Sequence, residues 1–303
     1  MSTASRPQNH FTIGSVRLTE GGIALDQLLN PTLMDHRGVL GMPAYAITAE
    51  SATSGAFWYL FSEPVATVQS WLALTAGAPV HVGDLVCASA TMAHYDDSSG
   101  TPTVTVTNSN QDVVCSGVGR TVRVGRSTAE LRALDRATMA TRSDPIPEPP
   151  AVDTTVSAID PGWDGPRILG ALGRGELARG PLAELLALSV TATDELVVTV
   201  EPQPWMANVL GAIQGGVIAS IIGEVCSLAG QAHTGPGDTY TLADLSVYYF
   251  RSPPVDGRTL TVSTMTDRVG RRIATISATM ADHGGTEYVR AVANVAYDRA
   301  GAF

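Results

Sequence analysis

The chain has 303 residues, room for two domains of about 130 to 150 residues each. Hydrophobic residues make up 44% and charged residues 16%, a globular composition that excludes a disordered chain. The net charge is −10 and all 19 basic residues are Arg, which disfavours a nucleic-acid partner and, with no Lys, excludes Schiff-base chemistry and a phosphate-binding P-loop.

In chain order, residues 11–17 read as a leading strand and 22–29 as a short helical piece before a turn at Asp35-His36-Arg37-Gly38. A helix is expected over 44–58. Strand-like runs follow at 67–75, 85–95, 101–107 and 113–124, separated by turn signals such as Gly77-Ala78-Pro79. One helix followed by a meander of long strands is an α+β pattern. Residues 127–142 read as a charged, helix-like stretch, and 143–150 hold four prolines that make a stiff spacer. The pattern then repeats, with leading strands over 188–200, a helix over 217–232 and strands over 242–250, 260–268, 271–281 and 286–297.

Cys87, Cys115 and Cys226 stand far apart in apolar surroundings and read as buried small side chains, with no disulfide or metal role. His94, His233 and His283 show no metal spacing, and no cofactor is expected. No basic-then-apolar leader opens the chain, so a cytoplasmic location is expected. The apolar stretch 209–232 is broken by Gln214, Gly215-Gly216 and Glu224, so it reads as a helix wrapped by protein, and no membrane partner is expected. The Arg-only, Ala- and Gly-rich composition suggests a GC-rich bacterial genome.

The repeat is sharpest in two turns. Asp35-His36-Arg37-Gly38-Val39-Leu40-Gly41-Met42-Pro43 aligns with Asn208-Val209-Leu210-Gly211-Ala212-Ile213-Gln214-Gly215-Gly216 at an offset of 173 residues, which sets Gly38 on Gly211 and Gly41 on Gln214. The chain therefore reads as an internal duplication, with like domains at 1–126 and 181–303 joined by a helical and Pro-rich linker at 127–180.

The string Asn208-x-x-Gly211-x-x-Gln214-Gly215-Gly216 resembles the N-x-x-G-x-x-H-G-G signature of hotdog-fold acyl-CoA thioesterases of the phenylacetate-pathway and 4-hydroxybenzoyl-CoA type, with Gln at the usual His. Asp267-Arg268-Val269-Gly270-Arg271-Arg272 and the two alternating runs after it are similar to the last strands of that family. The resemblance implies an α+β tandem (double) hotdog, each unit a long central helix wrapped by a curved antiparallel sheet. It also implies an acyl-CoA substrate and a site shared between two units.

In that family a backbone N–H in the second residue of the turn polarises the thioester carbonyl at a helix start. A carboxylate nine residues after the His position acts as base or nucleophile, and a hydroxyl four residues later shares its helix face. Here the second half has the turn but Gly223 at the carboxylate position, whereas the first half has Glu50 and Ser54 but the poor turn Gly41-Met42-Pro43. Crossing the halves assembles one complete site from Gln214 and Gly215 with Glu50 and Ser54, and Asn208 and Gly216 are expected to contact substrate. The opposite pairing, Met42 and Gly41 with Gly223 and Ser227, has no carboxylate. Glu224 lies one residue late, rotated about 100° around the helix, and serves only if the turn is shifted.

Arg271 and Arg272, with Arg268 and Arg290, are the candidates to meet the phosphates of coenzyme A. Two other functions stay open. One is a non-catalytic acyl-CoA or small-ligand binding hotdog protein. The other is a hotdog hydratase or dehydratase, whose motif Asn30-Pro31 faintly resembles, although His36 stands six residues on rather than about three. The acyl group and any homo-oligomer of double-hotdog chains are also left open.

Overall fold

A computed structural model describes residues 6–14, 16–126, 128–133 and 145–300 of the chain. The two matched turns have the same hydrogen bonding. Asp35 Oδ1 accepts the N–H of Arg37 at 2.8 Å and of Val39 at 3.1 Å, and Asn208 Oδ1 accepts the N–H of Leu210 at 2.9 Å and of Ala212 at 3.3 Å. Gly38 and Gly211 have φ of +75° and +76°, a conformation that costs glycine little and other residues more.

Each turn leads into a helix of 17 residues, Met42–Trp58 and Gly215–Gln231. Almost every residue of the second is buried, and so are most of the first, so both are central rather than surface helices. They cross antiparallel and close. A Cβ on Gly216 would stand 2.6 Å from the Cα of Ile47, and one on Gly223 would stand 3.3 Å from Cγ of Pro43. A side chain at 216 would force the helices apart.

The strands are β1 (Arg17–Thr19), β2 (Gly22–Leu28), β3 (Ala66–Ala76), β4 (Leu85–Tyr95), β5 (Ser99–Thr107), β6 (Val113–Val124), β7 (Leu188–Ala192), β8 (Val197–Val200), β9 (Thr239–Tyr249), β10 (Leu260–Val269), β11 (Ile273–Asp282) and β12 (Glu287–Asp298). They form one 12-stranded sheet in the order β1-β2-β4-β5-β6-β3-β9-β12-β11-β10-β8-β7. That order is two like sheets joined where β3 pairs with β9, with Trp71 opposite Tyr248 and Leu74 opposite Leu245. Alternate residues such as Leu72, Leu74, Leu245 and Val247 turn inward onto the helices and bury fully. The fold is the tandem hotdog, with the two helices antiparallel inside one continuous sheet.

Two local expectations are corrected. Residues 22–29 are not helical: 22–28 form β2, paired along its length with β4, because Ile23 packs against the first central helix at Gly55 and Leu25 is buried too. Residues 11–17 are not a strand. Pro7–His10 is a helical turn, Ile13 makes a single bridge to Gln27, and regular pairing begins at Arg17.

Of the 127–142 stretch, 128–133 are described and contain the short helix Ala129–Arg132, while 127 and 134–142, with 143–144 of the spacer, lie outside the described residues. From residue 145 the chain runs irregularly to a helix at Gly165–Gly173, capped by Asp164, and a short one at Pro181–Leu185. Cys115 and Cys226 are buried, Cys87 is half-buried, and all are free. Among the described residues no helix is long and apolar enough to cross a membrane.

Candidate active site

Gln214 is the residue that joins the halves. Its extended backbone makes it the N-cap of the second central helix, and its side-chain oxygen accepts the N–H of Val217 at 3.0 Å. With the oxygen so committed, its Nε2 points across to the first helix, donating to Glu50 Oε2 at 2.6 Å and to Ser51 Oγ at 3.1 Å. A carboxamide does both because it carries acceptor and donors on one plane. The matched cap in the first half, Gly41, makes no side-chain bond.

Glu50 is 3% exposed, and burial pushes its carboxyl up to about 7. The Gly216 N–H, the Ser54 hydroxyl and the Gln214 amide oppose that rise, since each favours the ionised form. The carboxylate thus lies at the positive start of the opposite helix. A Cβ on Gly215 would stand 2.7 Å from Glu50 Oε1, so the glycine leaves the space that the carboxylate uses. The Gly215 carbonyl accepts Tyr249 Oη–H at 3.1 Å, while its N–H makes no hydrogen bond with any described residue.

These groups open on a cavity of about 410 Å³. Glu50, Ser54, Asn208, Gln214 and Gly215 line it on the polar side, and Trp58, Ile213 and Ile218 on the apolar side. Glu50 is the one acid among the described lining residues, and Arg6 and Arg251 are the two cations. Residues from 6–16 and Leu131 close part of the wall from outside the central helices and their strands.

Five of the eight expected site residues therefore meet at the cavity. Gly216 stands behind it, with its N–H on Glu50 and its Cα against Ile47. Arg271 and Arg272 do not line it. They are exposed in the turn between β10 and β11, at the end of the sheet beside the C-terminal end of the second helix, where their carbonyls accept Arg299 Nε and the Tyr297 N–H. The helix start that carries Gly215 is at the opposite end. Arg290 is paired with Glu287 at 2.8 Å.

Ser51, Tyr249 and Arg251 were not singled out from the sequence. Ser51 had a signal, as the counterpart of Glu224 at the 173 offset; Tyr249 and Arg251 lie in no motif and reach the turn only because β9 runs beside it. Asn30 and His36 have structural partners. Asn30 bonds Thr32 at 2.9 Å and Thr12 at 3.0 Å, and buried His36 lies 3.1 Å from Gln231 Oε1.

In the opposite pairing Glu224 is buried, and its carboxyl is pushed up to about 8 by burial and by Asp35, against the pull of Arg37. The space beside it is about 30 Å³.

The sequence profile of the Thioesterase superfamily matches residues 210–289. No curated protein sequence matches the chain. Among solved structures, the acyl-CoA thioesterase II of Mycobacterium marinum is similar at TM-score 0.60 and 10% identity, over 97% of this chain and 99% of that one. The tesB protein of Mycobacterium avium subs paratuberculosis is similar at 0.59 and 8% identity, over 93% and 95%. The 12:0-ACP thioesterase of Umbellularia californica is similar at 0.54 and 12%, over 93% and 99%. The chain therefore has the double hotdog fold of these thioesterases, and the Thioesterase superfamily profile falls on its second half.

Proposed function

We propose that the chain is an acyl-CoA thioesterase with one composite site between its two hotdog halves, 1–126 and 181–303, the linker being 127–180. The observation that carries this reading is the crossed contact of Gln214 with Glu50 at 2.6 Å, which sets one carboxylate beside one helix-start N–H with no partner among the described residues. The superfamily profile and the whole-chain thioesterase likenesses support the same reaction class. The phenylacetate-pathway and 4-hydroxybenzoyl-CoA type rests on the turn signature, and a cytoplasmic setting without cofactor goes with it.

The thioester carbonyl oxygen accepts the Gly215 N–H, and negative charge developing there meets the helix start. Glu50 takes a proton from a water as that water attacks the carbonyl carbon. Ser54 orients the water, Gln214 fixes the carboxylate, and Asn208 contacts the substrate from the turn it braces. When the tetrahedral adduct collapses, the C–S bond breaks and the thiolate takes the proton back from Glu50. The products are a carboxylic acid and free coenzyme A.

A panel of acyl-CoA esters with free-thiol detection tests the proposal. Steady thiol release on part of the panel is expected; ligand-induced stabilisation with no turnover would replace it with a binding protein.

Because the base must be ionised, kcat/KM is expected to rise with pH and level off above about 7, falling about tenfold per unit below. Gln214→Leu removes a group that favours the anion, so that limb is expected to move to higher pH. A limb at pH 4 to 5 would mean that Glu50 is not the titrating group. Among the lining residues Arg251 is an exposed guanidinium with no ion pair among the described residues, and it is assigned to the carrier phosphates. Arg251→Ala is expected to raise KM about tenfold with kcat little changed, more than Arg271→Ala or Arg272→Ala does. The reverse ranking would return the phosphates to the β10–β11 turn.

A further inference from the structure

The two halves differ at the matched spaces beside their central helices. Leu210, Ser51, Ser54 and Thr67 line the larger cavity, and their counterparts 173 positions away, Arg37, Glu224, Ser227 and Tyr240, line the smaller space. The same positions therefore wall both, yet the volume drops from about 410 Å³ to about 30 Å³. Two of the exchanges put a larger side chain on the smaller space: Arg37 stands where the other half has Leu210, and Tyr240 where it has Thr67.

These two side chains are locked together. The Arg37 guanidinium carbon lies 3.7 Å from the centroid of the Tyr240 ring, and Nη1 donates to the Tyr240 carbonyl at 2.9 Å. Nε and Nη2 donate to Asp35 Oδ2 at 2.8 and 2.6 Å, so the partly buried cation is paired with a buried counter-charge. Beyond them Glu224 is 1% exposed, and its Oε1 has no hydrogen-bond partner among the described residues. It is a carboxyl facing a space rather than a partner.

The outside is covered on one side as well. Gly180, at φ +90°, lies so close to the first turn that a Cβ there would stand 2.3 Å from the His36 nitrogen. The Leu182 N–H donates to the Met34 carbonyl at 2.9 Å, and its side chain joins the wall of the small space.

We propose that Arg37 and Tyr240 are an internal plug filling a second ligand chamber, covered on one side by 180–182, so that of these two matched chambers one stays open. With the plug removed, the space bounded by Leu33, Leu40, Leu182 and Leu242 takes small apolar ligands. The proposal rests on the reading of the larger cavity as an acyl chamber for its ligand class alone.

The test installs the larger cavity's residues in the smaller one, as Asp35→Asn, Arg37→Leu and Tyr240→Thr together, in the full chain. Crystals of variant and wild type are pressurised with xenon, which enters apolar voids. A xenon site beside Leu40 and Leu242 is expected in the variant and not in the wild type, with thiol release by the variant within about twofold of wild type. A folded variant without xenon there, or a wild type with it, overturns the plug. Should the triple variant not fold, Tyr240→Thr, which keeps the Arg37–Asp35 pair, is measured in the same way. Loss of the fold there too overturns the proposal, because the pair is then part of the core. Absence of thiol release from the wild type counts against the thioesterase reading and leaves the xenon outcome to stand on its own.

Discussion

Replacing Glu50 by Gln is expected to lower kcat for thioester hydrolysis at least about a hundredfold, the usual loss when a general base is removed. The substitution keeps the size of the side chain and an oxygen to accept the Gln214 amide, so the contact between the halves survives. Folding is not expected to suffer, since burial already disfavours the anion at this position. Glu224→Gln is the matched control: it changes an equally buried carboxyl on the other helix and is expected to leave turnover within about twofold. Thiol release by both purified variants, with melting curves, decides the matter. Equal losses, or a loss confined to Glu224→Gln, would move the base to the other helix.

The second large effect is expected at Gly215. Gly215→Pro deletes the N–H assigned to the thioester oxygen, a donor worth roughly 3 to 4 kcal/mol, or a few hundredfold in kcat. The backbone tolerates proline there. Residue 215 is the first of its helix, where proline is common, and Gln214 before it has φ −65° and ψ 139°, which a following proline accepts. The ring also brings a Cβ to 2.7 Å from Glu50 Oε1, so Gly215→Ala is needed beside it. Alanine keeps the N–H and displaces only the carboxylate, and its loss is expected to be the smaller. Met42→Pro is the equivalent change in the first half. Met42 is fully buried, so this variant is expected to melt lower, yet its kcat should remain near wild type. If both proline variants lose activity alike, two sites work rather than one.

Much of this arrangement was legible in the sequence because it repeats. The 173-residue offset matches the turns, both 17-residue helices, and β3 with β9, and it sets Glu50 against Gly223. Crossing the halves is what the resemblance implies, and Gln214 Nε2 stands 2.6 Å from Glu50 Oε2. The strand at 22–28 is not legible in the sequence because Ile23-Ala24-Leu25 is a continuous apolar run, whose period does not tell strand from helix; pairing with β4 decides it. Arg271 and Arg272 were chosen by charge, but charge carries no information about which end of a strand faces which end of a helix. Tyr249 stands at the end of β9, whose pairing with β3 spans a long sequence separation, and Arg251 follows two residues on, so no local pattern reports either. Arg37 looked like one more turn residue, and its filling role depends on Tyr240, 203 residues away.

On the proposed function one chain holds one working site, made of Glu50 from the first half and the Gly215 turn from the second. The most direct measurement is a crystal structure of the full chain with an acyl-CoA analogue in which a methylene replaces the thioester sulfur, leaving a stable ketone. One analogue per chain is expected, with the ketone oxygen at hydrogen-bond distance, about 3 Å, from the Gly215 nitrogen and the Glu50 carboxylate beside the carbonyl carbon. An analogue bound against Glu224 and the Met42 turn, or in both places, would contradict it.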